Sequence, residues 1–248
     1  MKKIALALGL ILAGFTLQAQ DATEIIKKAD QKMRGESSYV EMVMRIIRPD
    51  WSREISMKSW SYGTEYALIL ITGPARDKGI GYLKRGNEIW NWQPSIDRTV
   101  KLPPSMMSQS WMGSDFTNDD LVKESSIVND YTHRLTGDST INGYAVHKIN
   151  LTPKEDAAVV WGKIEMYISK DEYLQLLSKF YDEEMYLIHS MRGKEIKRMD
   201  DRLITSVIEV IPADDEDQKT VMEYENIDFN IDIKPDFFSI QNMKQLRP

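Results

Sequence analysis

The 248-residue chain contains no cysteine. That excludes disulfides, thiol catalysis and thiolate-bound zinc. Histidine is also scarce. His133, His147 and His189 are the only three. Each falls in a different expected strand, without H-E-x-x-H or close H-x-H spacing, so a histidine site would have to be assembled by the fold. There is no G-x-S-x-G elbow, no Walker loop and no G-x-G-x-x-G. An excess of base is missing as well: 32 Lys and Arg face 38 Asp and Glu, for a formal charge of −6. A nucleic-acid partner, which needs a basic face, is disfavoured. The one long apolar run, Ile4 to Leu17, is about 14 residues against the roughly 20 that span a bilayer.

That run has the layout of a secretory signal peptide. Lys2 and Lys3 precede it, and Gln18-Ala19-Gln20 forms a small-residue exit, so cleavage is expected near residue 20. No cysteine stands at the exit to take a lipid anchor. Removing residues 1–20 takes away two lysines and no acid, which moves the formal charge from −6 to −8. An exported protein without disulfides must rely on its core. Residues 21–248 are enough for a single β-rich domain.

Residues 21–34 (DATEIIKKADQKMR) read as a helix. Asp21 and Glu24 make a D-x-x-E start, Ala22, Ile25, Ile26, Ala29 and Met33 share a stripe, and Gly35 follows as a stop. Beyond it the period becomes twofold. Strands are expected at 39–48, 53–62, 66–71, 79–85, 87–93 and 97–102. YALILI at 66–71 is apolar on both faces, the mark of a strand covered twice. The pattern resumes at 131–137, and Asn142-Gly143 signals a hairpin. Further strands are expected at 144–151, 159–169, 173–182, 185–191, 194–200, 202–211 and 219–233. One helix and ten or more antiparallel strands must curl, close or split into layers, and a barrel of this size can enclose a ligand.

Residues 103–127 break the alternation. SMMSQSWMG has three Met and a Trp without a helical or sheet face, and suits an apolar flap over a pocket. The acidic run after it fails as a calcium loop. Counting from Asp115, Asp120 stands where glycine is required and Ser126 where glutamate is. Thr117 or Asn118 is expected to cap a short helix, with Asp119 and Asp120 in its first turn. Asp115 is expected to contribute to that cap, and Trp111 and Met112 to touch cargo. Asp182-Glu183-Glu184 reads as a hairpin turn, and Gly79 and Gly81 as a bulge or close backbone packing. Fourteen Met and six Trp are heavy usage. Methionine is flexible and polarizable and lines adaptable apolar surfaces.

The first amphipathic helix, WMGSDFTNDDL at 111–121, GYAVHKINLTP at 143–153, YLQLLSKFYDEEMYLIHSM at 173–191 and the ending VMEYENIDFNIDIKPDFFSIQNMKQLR together resemble the LolA-like outer-membrane lipoprotein-sorting proteins. GSDFTNDDL and the PDFFS…NMK ending are the most specific parts. The resemblance implies a mainly β (α+β) chain. It would be a half-open antiparallel β-barrel with an N-terminal helix and a helical or loop lid over an apolar cavity. It implies a non-enzymatic periplasmic carrier for the acyl chains of a lipid or lipoprotein, bound for the outer membrane, without cofactor or metal. An accessory protein docking on an inner-membrane transporter is the alternative. On this reading the cavity candidates on strands are Met42, Met44 and Ile46, then Ile55 and Met57, Leu68 and Leu70, and Trp90 and Trp92. The flap candidates are Met106, Met107, Trp111, Met112 and Phe116.

Overall fold

The computed structural model describes residues 22–122, 126–215 and 217–248. The expected signal peptide and Asp21 lie outside the described residues. A helix over 22–34 (α1) leads into six strands: β1 (Ser37–Ile47), β2 (Ser52–Tyr62), β3 (Tyr66–Gly73), β4 (Gly81–Arg85), β5 (Glu88–Gln93) and β6 (Arg98–Lys101). Seven more follow an irregular insert: β7 (Tyr131–Ile141), β8 (Tyr144–Pro153), β9 (Lys163–Ser169), β10 (Gln175–Tyr181), β11 (Leu187–Met199), β12 (Arg202–Pro212) and β13 (Lys219–Phe229).

All thirteen belong to one antiparallel sheet. Its order is β6-β5-β4-β3-β2-β1-β13-β12-β11-β10-β9-β8-β7. Each half is therefore a meander, and the halves join where β1 pairs with β13, Val40 opposite Ile227 and Met44 opposite Met222. The sheet does not close, because β6 and β7 are its two edges. It curls all the same: residues of β3 at one side and β9 at the other line a common cavity. The insert runs from the end of β6 to the start of β7. It thus has to cross from one edge of the sheet to the other.

Alternation decides which side chains face in. In β3, Ile69 and Ile71 join Met44, Ile46, Ile55 and Met57 on the inner face. Leu68 and Leu70 point outward, among Leu83, Trp92, Phe238 and Met243. This strand is covered twice, as its sequence implies. The outer cover is the C-terminal segment, with a short helix (Ile240–Gln245) capped by Ser239, whose hydroxyl accepts from the Asn242 N–H at 3.2 Å. Gly81 allows the close approach. A Cβ there would come within 2.7 Å of Met243 Cγ. On the inner face Ala22, Ile26 and Ala29 of α1 bury against a cluster that includes Ile149, Ile164, Met166 and Phe180.

Several expected boundaries differ, among them the following. The strands expected at 185–191 and 194–200 are one, β11. The Arg192-Gly193 interruption is no break: at Gly193 a Cβ would overlap the Gln175 carbonyl oxygen, so glycine keeps the strand in register beside β10. The last strand stops at Phe229 rather than 233, because Asn230 takes a left-handed φ of 54° and turns the chain. The strand expected from 159 starts at Lys163.

Phe238 is fully buried. Phe238→Ala should cost about 3–5 kcal/mol, read as a shift in the urea midpoint. A loss near zero would make the C-terminal segment a detachable tail.

Candidate functional site

A cavity of about 210 Å³ lies between the inner face of the sheet, α1 and the insert. Six methionines border it: Met33 from α1, and Met42, Met57, Met166, Met191 and Met222 from five strands. Ser59, Ser61, Ala67 and Gly193 also border it. These side chains are too short to fill the space between larger neighbours. The ion pair Asp30–Arg34, one turn apart on α1 at 2.9 Å, lies at its helix side.

Three sets of contacts hold and shape the insert. Arg48, just after β1, grips Asp115 with both guanidinium nitrogens, at 2.9 and 3.1 Å. The Thr220 hydroxyl of β13 donates to the same carboxylate at 2.7 Å and accepts from the Asp115 N–H at 3.0 Å. The pair is largely buried, with side chains 12% and 10% exposed. Next, Trp111 plugs the inner core. It is 1% exposed, packs among Met44, Ile55, Met57 and Ile71, and lies 5.3 Å from the Tyr82 ring. Its indole Nε1 has no hydrogen-bond partner among the described residues. Last, Thr117 and Asp120 bond reciprocally at the start of helix α2 (Asn118–Val122). The Thr117 hydroxyl accepts from the Asp120 N–H at 3.1 Å, and the Asp120 carboxylate accepts from the Thr117 N–H at 2.8 Å. This is a capping box with aspartate in the usual glutamate position.

Two corrections follow. Asp115 does not serve the cap; it anchors the insert to β1 and β13. Trp111, expected in the flap against cargo, is buried in the inner core beside the cavity.

Asp120 is half-buried and borders the cavity. It also accepts from the Trp161 Nε1 at 3.0 Å. Burial pushes its carboxyl up to about 6, against the bonds from Thr117 and Trp161 that favour the anion. His189 is buried between two rings, 4.9 Å from Trp161 and 4.6 Å from Phe180. Burial pushes it down to about 4, so it is neutral at pH 7. His133 is held by Thr23 and the Ile127 carbonyl at 3.0 and 2.7 Å. His147 sits 3.4 Å from Asp138 on β7, whose carboxylate is 60% exposed, outside any cleft. Among the described residues no group of three or more His, Asp or Glu could hold a metal ion, and no helix is long and apolar enough to cross a membrane.

A family model described as that of an uncharacterized protein matches residues 63–245. A search of curated proteins finds no match. Among solved structures, a DUF1329 family protein from Desulfovibrio piger superposes with a TM-score of 0.82 at 21% identity, covering 91% of this chain and 99% of that one. A putative outer membrane lipoprotein-sorting protein domain from Vibrio parahaemolyticus gives 0.81 at 19%, with 91% and 99% covered. A LolA superfamily protein from Nitrosomonas europaea gives 0.77 at 21%, with 89% and 98% covered. The chain belongs to the family of that model and has the fold of the LolA-like proteins.

Within this LolA-like fold the expected cavity residues separate into groups. Met42, Met57 and Phe116 border the cavity. Met44, Ile46, Ile55 and Trp111 are buried in the inner core next to it, and Met112 is partly buried against that core. Met106 and Met107 pack with Ile89 and Leu102. Leu68, Leu70, Trp90 and Trp92 belong to the outer face, under the C-terminal segment. Met33, placed by the sequence only on the apolar stripe of the first helix, also borders the cavity, as do Met191, Met222, Trp161 and Phe180, which are not among the expected cavity residues. Strand alternation carries a signal for Met191 and Met222. Nothing local marks Trp161.

Asp115→Ala strands a largely buried guanidinium, and should cost about 3 kcal/mol in urea unfolding; a cost below 1 kcal/mol would mean the insert is fastened elsewhere. For Asp120 the folded carboxyl titrates higher than the unfolded one, so the folded state binds the extra proton between about pH 4 and 6. Stability contributed by Asp120 should thus fall as pH rises across that window, by roughly 2 kcal/mol, and stay flat above it. Asp120→Asn should remove this slope. An unchanged slope in the variant would show that the proton binds elsewhere.

Proposed function

We propose that the protein is an exported carrier, cleaved near residue 20 and working in the periplasm as one domain over 21–248. It binds the acyl chains of a lipid or lipoprotein in the cavity and delivers the cargo toward the outer membrane. The observation that carries this reading is the methionine lining. Side chains from α1 and five strands converge on one void, and each has three rotatable bonds with which to fit a flexible chain. Every methylene buried there gains about 0.8 kcal/mol, before the cost of ordering the cargo. No catalytic step is part of the proposal. Release would come from a competing acceptor, because an apolar pocket has no other reason to let go.

The hairpin between β10 and β11 supports a second reading, as an accessory protein docking on an inner-membrane transporter. Met185, Tyr186, Leu187 and Ile188 are all exposed there, Tyr186 at 66%. Four consecutive exposed apolar residues suit a contact surface.

Native mass spectrometry of protein purified from the periplasm without detergent should find a bound mass in the range of a phospholipid or acylated peptide. Ser59→Trp, which projects a large ring into the cavity, should weaken uptake of a fluorescent fatty-acyl probe at least tenfold while circular dichroism stays unchanged. A bare protein mass together with no probe uptake would move the assignment to the accessory reading.

A further inference from the structure

A second cleft, of about 510 Å³, opens beside the cavity. Phe116 and Trp161 border both spaces, so these two rings form the partition between them. On the far side the cleft is bounded by His189 and by the β10–β11 hairpin with Asp182, Glu183 and Glu184. Among the described residues no lysine or arginine borders it. Asp115 does, but Arg48 holds that carboxylate. Glu183 and Glu184 are exposed and make no ion pair among the described residues.

The electrostatics of this cleft has one sign. Carboxylates without an ion partner among the described residues share its lining with aromatic rings, and the basic side chain on that lining, His189, is buried and neutral, its Nε2 without a hydrogen-bond partner among the described residues. Ring faces attract cations, and carboxylates add to that attraction. An anionic headgroup would meet uncompensated negative charge. The size also suits a small group, since ligand sites typically span about 300–1,000 Å³.

We propose that the cleft receives the cationic, ammonium-bearing headgroup of an amphiphile whose acyl chain lies in the adjoining cavity. This rests on the carrier reading above and adds to it a selectivity for charge. Phe116 and Trp161 would separate chain from headgroup, one side of each ring facing apolar cargo and the other facing the ammonium.

The test is displacement of N-phenyl-1-naphthylamine from the purified protein by three amphiphiles of equal chain length, each below its micellar concentration. They are tetradecyltrimethylammonium, monomyristoylglycerol and myristate. The ammonium compound should displace the probe at about tenfold lower concentration than myristate at pH 7.5. In Asp182→Asn/Glu183→Gln/Glu184→Gln that preference should shrink to within twofold. A control variant, Asp171→Asn/Glu225→Gln/Asp232→Asn, removes the same charge away from the cleft and should keep the preference. Equal loss in both variants would reduce the effect to net charge and overturn the proposal. So would a preference that survives in the cleft variant, or a tighter fit for the uncharged glycerol ester. Uptake of probe without headgroup preference overturns this inference alone. Absence of probe uptake overturns the carrier reading and this one with it.

Discussion

The ladder of backbone hydrogen bonds stops at β6 and β7, and most of the molecule follows from that stop. A sheet of thirteen strands cannot stay flat, and a curled sheet that fails to close has an apolar inner face open along one side. Connectivity supplies the cover. The chain leaves one edge at Lys101 and must reach the other at Tyr131, so the insert spans the gap because it has no other route. It cannot be a strand, since a strand there would close the barrel and fill the mouth. It is instead a series of short turns fixed by particular contacts: Arg48 to Asp115, Trp111 in the core, the Thr117–Asp120 box. A cover held by a few points opens more easily than one held by a ladder. An enclosed cavity needs that property if anything is to enter it.

Protein interiors pack to high density, so a void needs a cause. Here it lies in the sequence of the strands. Ser59, Ser61, Ala67 and Gly193 point inward where Leu or Ile would close the space. Gly193 also has its own reason, the neighbouring Gln175 carbonyl. Around these short residues stand the methionines, whose long side chains can swing into the void or away from it. Short residues keep the room and flexible ones define its shape.

Much of this is legible in the sequence. Alternation locates most of the strands, Asn142-Gly143 marks the β7–β8 hairpin, and Thr117 and Asn118 are the two cap candidates, of which Thr117 makes the cap. Periodicity reports that two faces differ, but not which face meets the cavity. For YALILI both faces are apolar, so Leu68 and Leu70 could be assigned to the interior as easily as Ile69 and Ile71. What decides between them is the C-terminal segment, far along the chain. Trp90 and Trp92 were misplaced for the same reason: they are large and aligned, yet Phe238 and Met243 cover them from outside. The Arg48–Asp115 pair joins residues 67 apart and leaves no local trace, so Asp115 looked like part of the cap beside it.

The outer cluster also explains how the inner face can remain loosely filled. Stability of a few kcal/mol must come from some dense region. In this fold Leu68, Leu70, Leu83, Trp92, Phe238 and Met243 form such a region on the side away from the cavity. Ala22, Ile26 and Ala29 make another with the far strands. With both ends of the curled sheet held by packed cores, the stretch between them is free of the usual requirement to exclude all space. The separation is written into β3. Its even-numbered leucines hold the sheet together, and Ala67 and Ile69 form part of the cavity wall. One strand thus serves both stability and capacity on opposite faces, and a one-residue slip in its register would exchange the two.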